Sequence, residues 1–345
     1  MNPAKAYAHL FSPLGGDDAD NYRAPTQITF LRSEHVPLNA DKLRQSGVRY
    51  AFVGVPFDEG NVGKPGSDEG PREFRLASQE YFSYWFEYQV DLHGSAVDCG
   101  DVQMPKVNPE LSRQRIYQAV REVLTAGLIP IICGGDRSLS IAATKALSDH
   151  IGAEKKMGYL HFGANLDLAD SWAGEKNLST CALARITELP NLAGENVAHV
   201  GARNSLNPKD WIDLAKERDI RFYPMFELFE RGVDAVVEDA IGRAWDGTDA
   251  QYLSFNLNVM DASMAPGVTS AEPGGLESRE MMRIAGAIGR RGSVSVIEVS
   301  ELCPIFDVSG TTSRLAVCLV LRILAAMAQS RGELVDQTIK RPSSD

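Results

Sequence analysis

Apolar residues in this chain fall in short, dense runs separated by stretches of helical periodicity. The run Tyr50-Ala-Phe-Val-Gly-Val-Pro56 is rich in β-branched and aromatic residues and closes on a proline, which predicts a buried strand. Leu128–Cys133, Met157–Phe162, Val197–Gly201, Tyr252–Phe255 and Val294–Val299 read the same way. Between them, Leu111 to Ala126 and Pro208 to Arg218 are amphipathic at helical spacing, and Arg314 to Ala328 predicts a long apolar helix that closes the fold. Strands alternating with helices predict βαβ units. The expected fold is therefore α/β: one doubly wound parallel sheet flanked by helices on both faces. No linker, repeat or low-complexity stretch divides residues 46–330. Residues 1–45 mix Pro, Gly, Asp and Asn without a period and predict an irregular arm, and the polar residues 331–345 predict a frayed tail.

In an open parallel sheet, ligands bind beyond the carboxyl ends of the strands. Here those ends lead into small, polar loops: Asp58–Gly70, Gly134-Gly-Asp-Arg137, Gly163-Ala-Asn-Leu-Asp167, Asn256-Leu-Asn-Val-Met-Asp261 and Glu298-Val-Ser300. These loops are where a site belongs, although Gly, Asn and Asp also end strands that carry no function.

Composition narrows the classes. A net charge of -11 argues against a nucleic-acid or acidic-membrane partner. No stretch is expected to reach the roughly 20 apolar residues of a membrane helix, and Met1 to Gly16 lacks the apolar core of a signal peptide. The five cysteines (Cys99, Cys133, Cys181, Cys303, Cys318) form no CxxC pair, as expected of reduced thiols in a cytoplasmic protein.

The loops also carry a resemblance. Gly54-Val-Pro-Phe-Asp-Glu-Gly60 with Pro65-Gly66 and Gly70-Pro-Arg72, then Asp98-Cys-Gly-Asp-Val102, Gly134-Gly-Asp-Arg-Ser138 and His161-Phe-Gly-Ala-Asn-Leu-Asp167, follow one another in a characteristic order. Ser254-Phe-Asn-Leu-Asn-Val-Met-Asp261, Ala265-Pro-Gly267, Pro273-Gly-Gly-Leu276 with Arg279-Glu280, and Val296-Ile-Glu-Val299 complete the series. This ordered set resembles the ureohydrolases, the family of arginase, agmatinase, guanidinobutyrase and guanidinase. The resemblance implies an arginase-like three-layer α/β/α fold and, in the family at large, two manganese or nickel ions whose bridging hydroxide attacks a guanidinium carbon.

The resemblance also shows what this chain lacks. The family's ligands are two histidines and four aspartates, at positions held here by Arg137, Gly163, Asn165, Asp167, Asn256 and Asn258. Only Asp167 keeps the family's residue. Asparagine offers a neutral oxygen, glycine offers nothing, and arginine is a permanent cation that repels a metal ion. The His-Gly-Thr loop that supplies the family's catalytic histidine corresponds to Leu178-Ser-Thr180. No catalytic residue, metal or cofactor is expected in this chain. Arg137 is expected to fill the vacated metal space, forking onto Asp167 and onto Glu298, the retained substrate-type carboxylate. His161 is expected to be a core histidine, and Trp172 and the aromatic series Tyr81–Tyr88 to be packing residues, the series alternatively forming an interface on a helix face.

Three functions stay open on these residues. The chain is a non-catalytic subunit of a hetero-oligomeric ureohydrolase, trimer or hexamer based, whose homologous partner holds nickel or manganese. Or it is a free-standing pseudoenzyme binding a guanidine-like ligand. Or it performs metal-independent chemistry, for which Cys181 beside Thr180 is the only reactive candidate.

Overall fold

The computed structural model describes residues 28–335 apart from Lys106. Among the described residues there are eleven strands: β1 (Glu34–His35), β2 (Tyr50–Val55), β3 (Tyr84–Trp85), β4 (Val90–Asp91), β5 (Ala96–Asp101), β6 (Ile129–Gly134), β7 (Met157–Phe162), β8 (Val197–Val200), β9 (Arg221–Tyr223), β10 (Ala250–Asn256) and β11 (Val296–Ser300). Nine of them form one sheet in the order β1-β5-β2-β6-β11-β10-β7-β8-β9. Every pairing in that sheet is parallel. Residues along β2, β7 and β10 are buried throughout, as a sheet covered on both faces requires.

The helices are α1 (Ala40–Gln45), α2 (Gly70–Ser78), α3 (Pro109–Thr125), α4 (Leu139–Ile151), α5 (Ala182–Ile186), α6 (Lys209–Glu217), α7 (Met225–Arg231), α8 (Val233–Trp245), α9 (Ser278–Arg291) and α10 (Thr311–Ser330). One face of the sheet packs with α2, α8, α9 and α10, and the other with α3, α4, α5 and α6. The starts and stops are local. Pro109 opens α3 while the Asn108 side chain accepts from Leu111 N at 3.0 Å. A reciprocal Glu277/Glu280 cap opens α9, and Gly292 ends it at φ +71°.

All six strands predicted from apolar runs are present, shifted by a residue or two at their ends. Three sheet strands, β1, β5 and β9, escaped the sequence pattern because two are short edges and β5 carries Asp98 and Asp101. Those aspartates are structural. Asp98 takes a two-pronged contact from Arg75, Nε–Oδ2 2.7 Å and Nη2–Oδ1 2.9 Å, and Asp101 takes Arg75 Nη1 at 2.6 Å.

The arm differs from expectation. Its described part, from residue 28, is drawn onto the sheet because Phe30 is buried against Phe52 at 5.1 Å and Phe74 at 5.9 Å. Its backbone N–H also donates to Asp98 at 2.7 Å, and β1 and α1 follow. Residues 1–27 and 336–345 lie outside the described residues. At the other end, Arg331 reaches the Tyr50 hydroxyl at 3.2 Å and Glu333 pairs with Arg49 at 3.0 Å, so the first turn of the expected tail is docked.

Two further expectations are corrected. By length and composition α10 is apolar enough to cross a membrane, but 78% of that window is buried, and it packs between α2 and α9 as a core helix. The aromatic series Tyr81–Tyr88 lies on a turn and the antiparallel β3–β4 hairpin, not on a helix face.

Candidate functional site

The sheet order places β6, β11, β10 and β7 side by side at its centre. Four loops that follow strands ending at Gly134, Phe162, Asn256 and Ser300 therefore converge at one point of the carboxyl edge, and the loop after β2 folds over them.

Arg137 stands in the turn between β6 and α4. A Cβ on Gly135 would lie 1.6 Å from the Phe57 carbonyl oxygen, so only glycine lets the two loops approach. Asp136 fixes the turn by accepting from Gly60 N at 2.9 Å and Ser138 N at 2.7 Å. The Arg137 side chain then runs inward and is fully buried. Its Nε lies 3.5 Å from Asp167 Oδ2, its Nη1 lies 4.0 Å from Glu298 Oε1, and its guanidinium carbon lies 6.0 Å from the Tyr159 ring centre. None of its three nitrogens makes a hydrogen bond among the described residues. The expected fork is thus a looser arrangement, a cation held between two carboxylates over an aromatic ring. Burial opposes its charge, but Tyr159, Glu298 and Asp167 together outweigh that and keep it protonated.

Glu298, in β11, is also fully buried. It accepts from Ser140 Oγ at 2.5 Å, from Ser254 Oγ at 2.8 Å and from the Tyr252 hydroxyl. These hydroxyls, on α4 and β10, were not singled out in the sequence because serine and tyrosine in apolar elements carry no spacing signal. Asp167 ends the β7 loop with φ +54°, a backbone that Asp tolerates better than most residues. Burial pushes its carboxyl up to about 8; Arg137 pulls it down and the neighbouring Glu301 pushes it up.

The two asparagines after β10 are engaged. Asn256 Oδ1 accepts from Asn258 N at 2.9 Å, and Asn258 Oδ1 accepts from Ala164 N at 2.9 Å. Asn258 Nδ2 lies 3.3 Å from both Asn165 Oδ1 and Glu301 Oε2. Arg203 holds this turn from beneath, donating to the carbonyls of Asn258 at 2.9 Å, Met260 at 3.0 Å and Glu272 at 2.7 Å. Leu178 is half-buried against the core, and Ser179 and Thr180 after it face the cavity described below.

Gly163 is packed against His161: a Cβ there would lie 2.5 Å from His161 Nε2. The His161 ring is buried, hydrogen-bonded to Ser254 at 3.0 Å and set 4.9 Å from the His199 ring. Burial drives the pKa of His161 well below the usual imidazole value and that of His199 to about 4. Both are neutral core groups, as expected for His161.

A cavity of about 400 Å³ opens over these loops, with Asn165, Asp167, Trp172, Trp211, Asn258 and Glu301 in its wall. Trp172, expected to be packing, is 53% exposed at its mouth. Glu301 was missed by the sequence reading. It follows β11 directly, with φ +66°, and is buried, which raises its carboxyl above the usual range despite hydrogen bonds from Thr269 and Asn256. Its position two residues past Val299, in a strand-end turn, was the available signal.

Two divalent ions do not fit this donor set. Among the described residues, no three His, Cys, Asp or Glu side chains converge as metal ligands. Asp167, the one carboxylate among positions 137, 163, 165, 167, 256 and 258, has a buried permanent cation 3.5 Å away. Restoring one ligand is expected to fail structurally: Gly163→Asp should push the His161 ring out of its place and lower stability by roughly 1–3 kcal/mol. A melting temperature equal to that of the parent chain would contradict this.

A doubly wound sheet with its polar loops gathered at the carboxyl edge of the central strands defines an α/β protein of the arginase-like fold. The chain belongs to the Arginase family, whose sequence profile matches residues 48–326. It is 30% identical over 292 residues to guanidinopropionase of Pseudomonas aeruginosa, an alignment covering 83% of this chain and 88% of that protein. It is 27% identical over 323 residues to guanidinobutyrase of the same species, covering 92% and 97%. Among solved structures, formimidoylglutamase from Bacillus subtilis superposes with a TM-score of 0.77 at 21% identity, covering 95% of this chain and 98% of that one. Proclavaminate amidino hydrolase from Streptomyces clavuligerus gives 0.76 at 23% identity, covering 88% and 97%.

Proposed function

We propose that this chain is the non-catalytic, metal-free subunit of a hetero-oligomeric ureohydrolase, built on a trimer or hexamer with a homologous, metal-bearing partner. The partner holds the divalent ions, nickel or manganese, and hydrolyses a C–N bond of a guanidine or biguanide compound in the cytoplasm. Metformin, cleaved with water to guanylurea and dimethylamine, is the candidate substrate of the complex. Guanidinopropionase and guanidinobutyrase act, by their names, on guanidino acids, which supports the substrate class.

The observation that carries the reading is Arg137. A buried cation stands among the loops that resemble the family's ligand loops, with Asp167 the one ligand-type carboxylate beside it. A fold kept whole around such a centre favours a role in assembly over one in chemistry. Native mass spectrometry and elemental analysis of the purified chain, alone and co-expressed with a metal-bearing homologue, test it. The expected outcome is a mixed oligomer whose metal equals the partner's share alone. Stoichiometric nickel or manganese in the isolated chain, or no mixed oligomer, would overturn the reading.

A further inference from the structure

Helix α7 buries Met225 and Leu228 and leaves Phe226 and Phe229 outside, 63% and 62% exposed. Three residues apart on a helix, the two rings stand side by side on its outer face. One exposed aromatic needs no explanation, but adjacent rings of this size are what the centre of a subunit contact is made of. Beside Phe229 the surface falls into a hollow of about 350 Å³, walled by Met264, Asp261, Glu277 and Glu280, with no side chain at Gly274 and Gly275 to fill it. Helix α9 starts at its rim.

The charges of this face are unequally used. Glu227 pairs with Arg221 and Arg231, Arg231 also reaches Asp239 at 3.0 Å, and Asp234 pairs with Arg283. Glu277 and Glu280 cap the start of α9, and Asp261 accepts from the backbone of Ser263, Gly274 and Gly275. Glu230 and Arg279 differ: both are exposed, and neither has a hydrogen bond or ion pair among the described residues. Glu230 lies one helical turn beyond Phe226, and Arg279 lies between the two capping glutamates. A face that offers rings and a hollow, an unused carboxylate and an unused guanidinium, is complementary to itself.

We propose that this face is the contact surface for a second copy of this chain. The Phe226 and Phe229 rings of one copy pack against the hollow of the next, and Glu230 of one stands opposite Arg279 of the other. Apolar rings at the centre with paired charges around them give such a contact its affinity and its register. With a net charge of -11, two copies repel at long range, so association depends on this local match. The proposal goes beyond the subunit reading, because it needs neither a metal-bearing partner nor a ligand.

Sedimentation velocity of the full chain, with native mass spectrometry to fix the mass, tests the contact. The parent chain should self-associate with a Kd below about 10 µM. Phe226→Ser combined with Phe229→Ser should weaken association by about tenfold or more while the circular-dichroism spectrum stays that of the parent. Arg279→Glu sets two carboxylates against each other and should weaken it several-fold. Adding Glu230→Arg to that variant should bring the affinity back to within about threefold of the parent. The charge swap carries the test should the double phenylalanine variant fold poorly. A monomeric parent chain, undiminished association in the folded phenylalanine variant, or no recovery on the swap would overturn the proposal. The subunit reading is judged separately. An isolated monomer that enters a mixed oligomer overturns this contact alone, and a self-associating chain that takes no partner overturns that reading alone.

Discussion

Arg137→Ala is expected to destabilise the chain by on the order of 3 kcal/mol, seen as a fall of several degrees in Tm. Two losses add. Among the described residues the guanidinium is the only cation within 4.0 Å of Glu298, so its removal leaves that fully buried carboxylate with hydroxyl donors alone. It is also the largest fully buried side chain among the described residues, and alanine would leave a hole that the β6, β7, β10 and β11 ends cannot close without moving the loops. Companion variants separate the two. Arg137→Met restores most of the volume and none of the charge, so a Tm close to that of Arg137→Ala would assign the loss to charge. Arg137→Lys keeps the charge but not the planar group over Tyr159, and should fall between. Parent-like stability in Arg137→Ala would mean that this side chain does not hold the centre together.

The second large effect concerns turnover in the mixed oligomer. Changing a ligand aspartate of the partner to alanine is expected to abolish hydrolysis, because a two-metal site that loses an ion loses its hydroxide. Asp167→Ala in this chain should leave turnover within about twofold, since here Asp167 faces Arg137. The isolated chain should show no activity on guanidine compounds with nickel or manganese added. The reverse pattern, with loss of turnover on Asp167→Ala and tolerance in the partner, would place the chemistry in this subunit.

Much of this centre was legible in the sequence because the loops are contiguous. Gly134–Arg137, Gly163–Asp167 and Asn256–Asn258 each follow a dense apolar run, and strand ends of a parallel sheet are where side chains gather. What could not be read was which residues turn toward each other across the sheet. Glu298 is satisfied by Ser140, Ser254 and Tyr252, contacts set by the β10–β11 register and by α4, none of them visible in spacing. Trp172 looked like packing because tryptophan usually is, and only the cavity shows it at an open mouth. Glu301 escaped for a related reason: a glutamate one residue beyond a strand looks like solvated surface until the turn carries it inward.

The close fit of Gly163 against His161 has a consequence for descent. A lineage moving toward a metal-bearing centre would need acidic or imidazole groups at several of these positions at once. The first step at residue 163 must displace a ring held between Ser254 and His199. The first step at residue 137 must uncover Glu298 before any ion is present to replace the lost charge. Each such single step is expected to be less stable than its parent and to gain no activity, so selection has no gradient to climb. On the proposed subunit reading, the packing around this centre thus acts as a ratchet that makes a division of labour hard to undo.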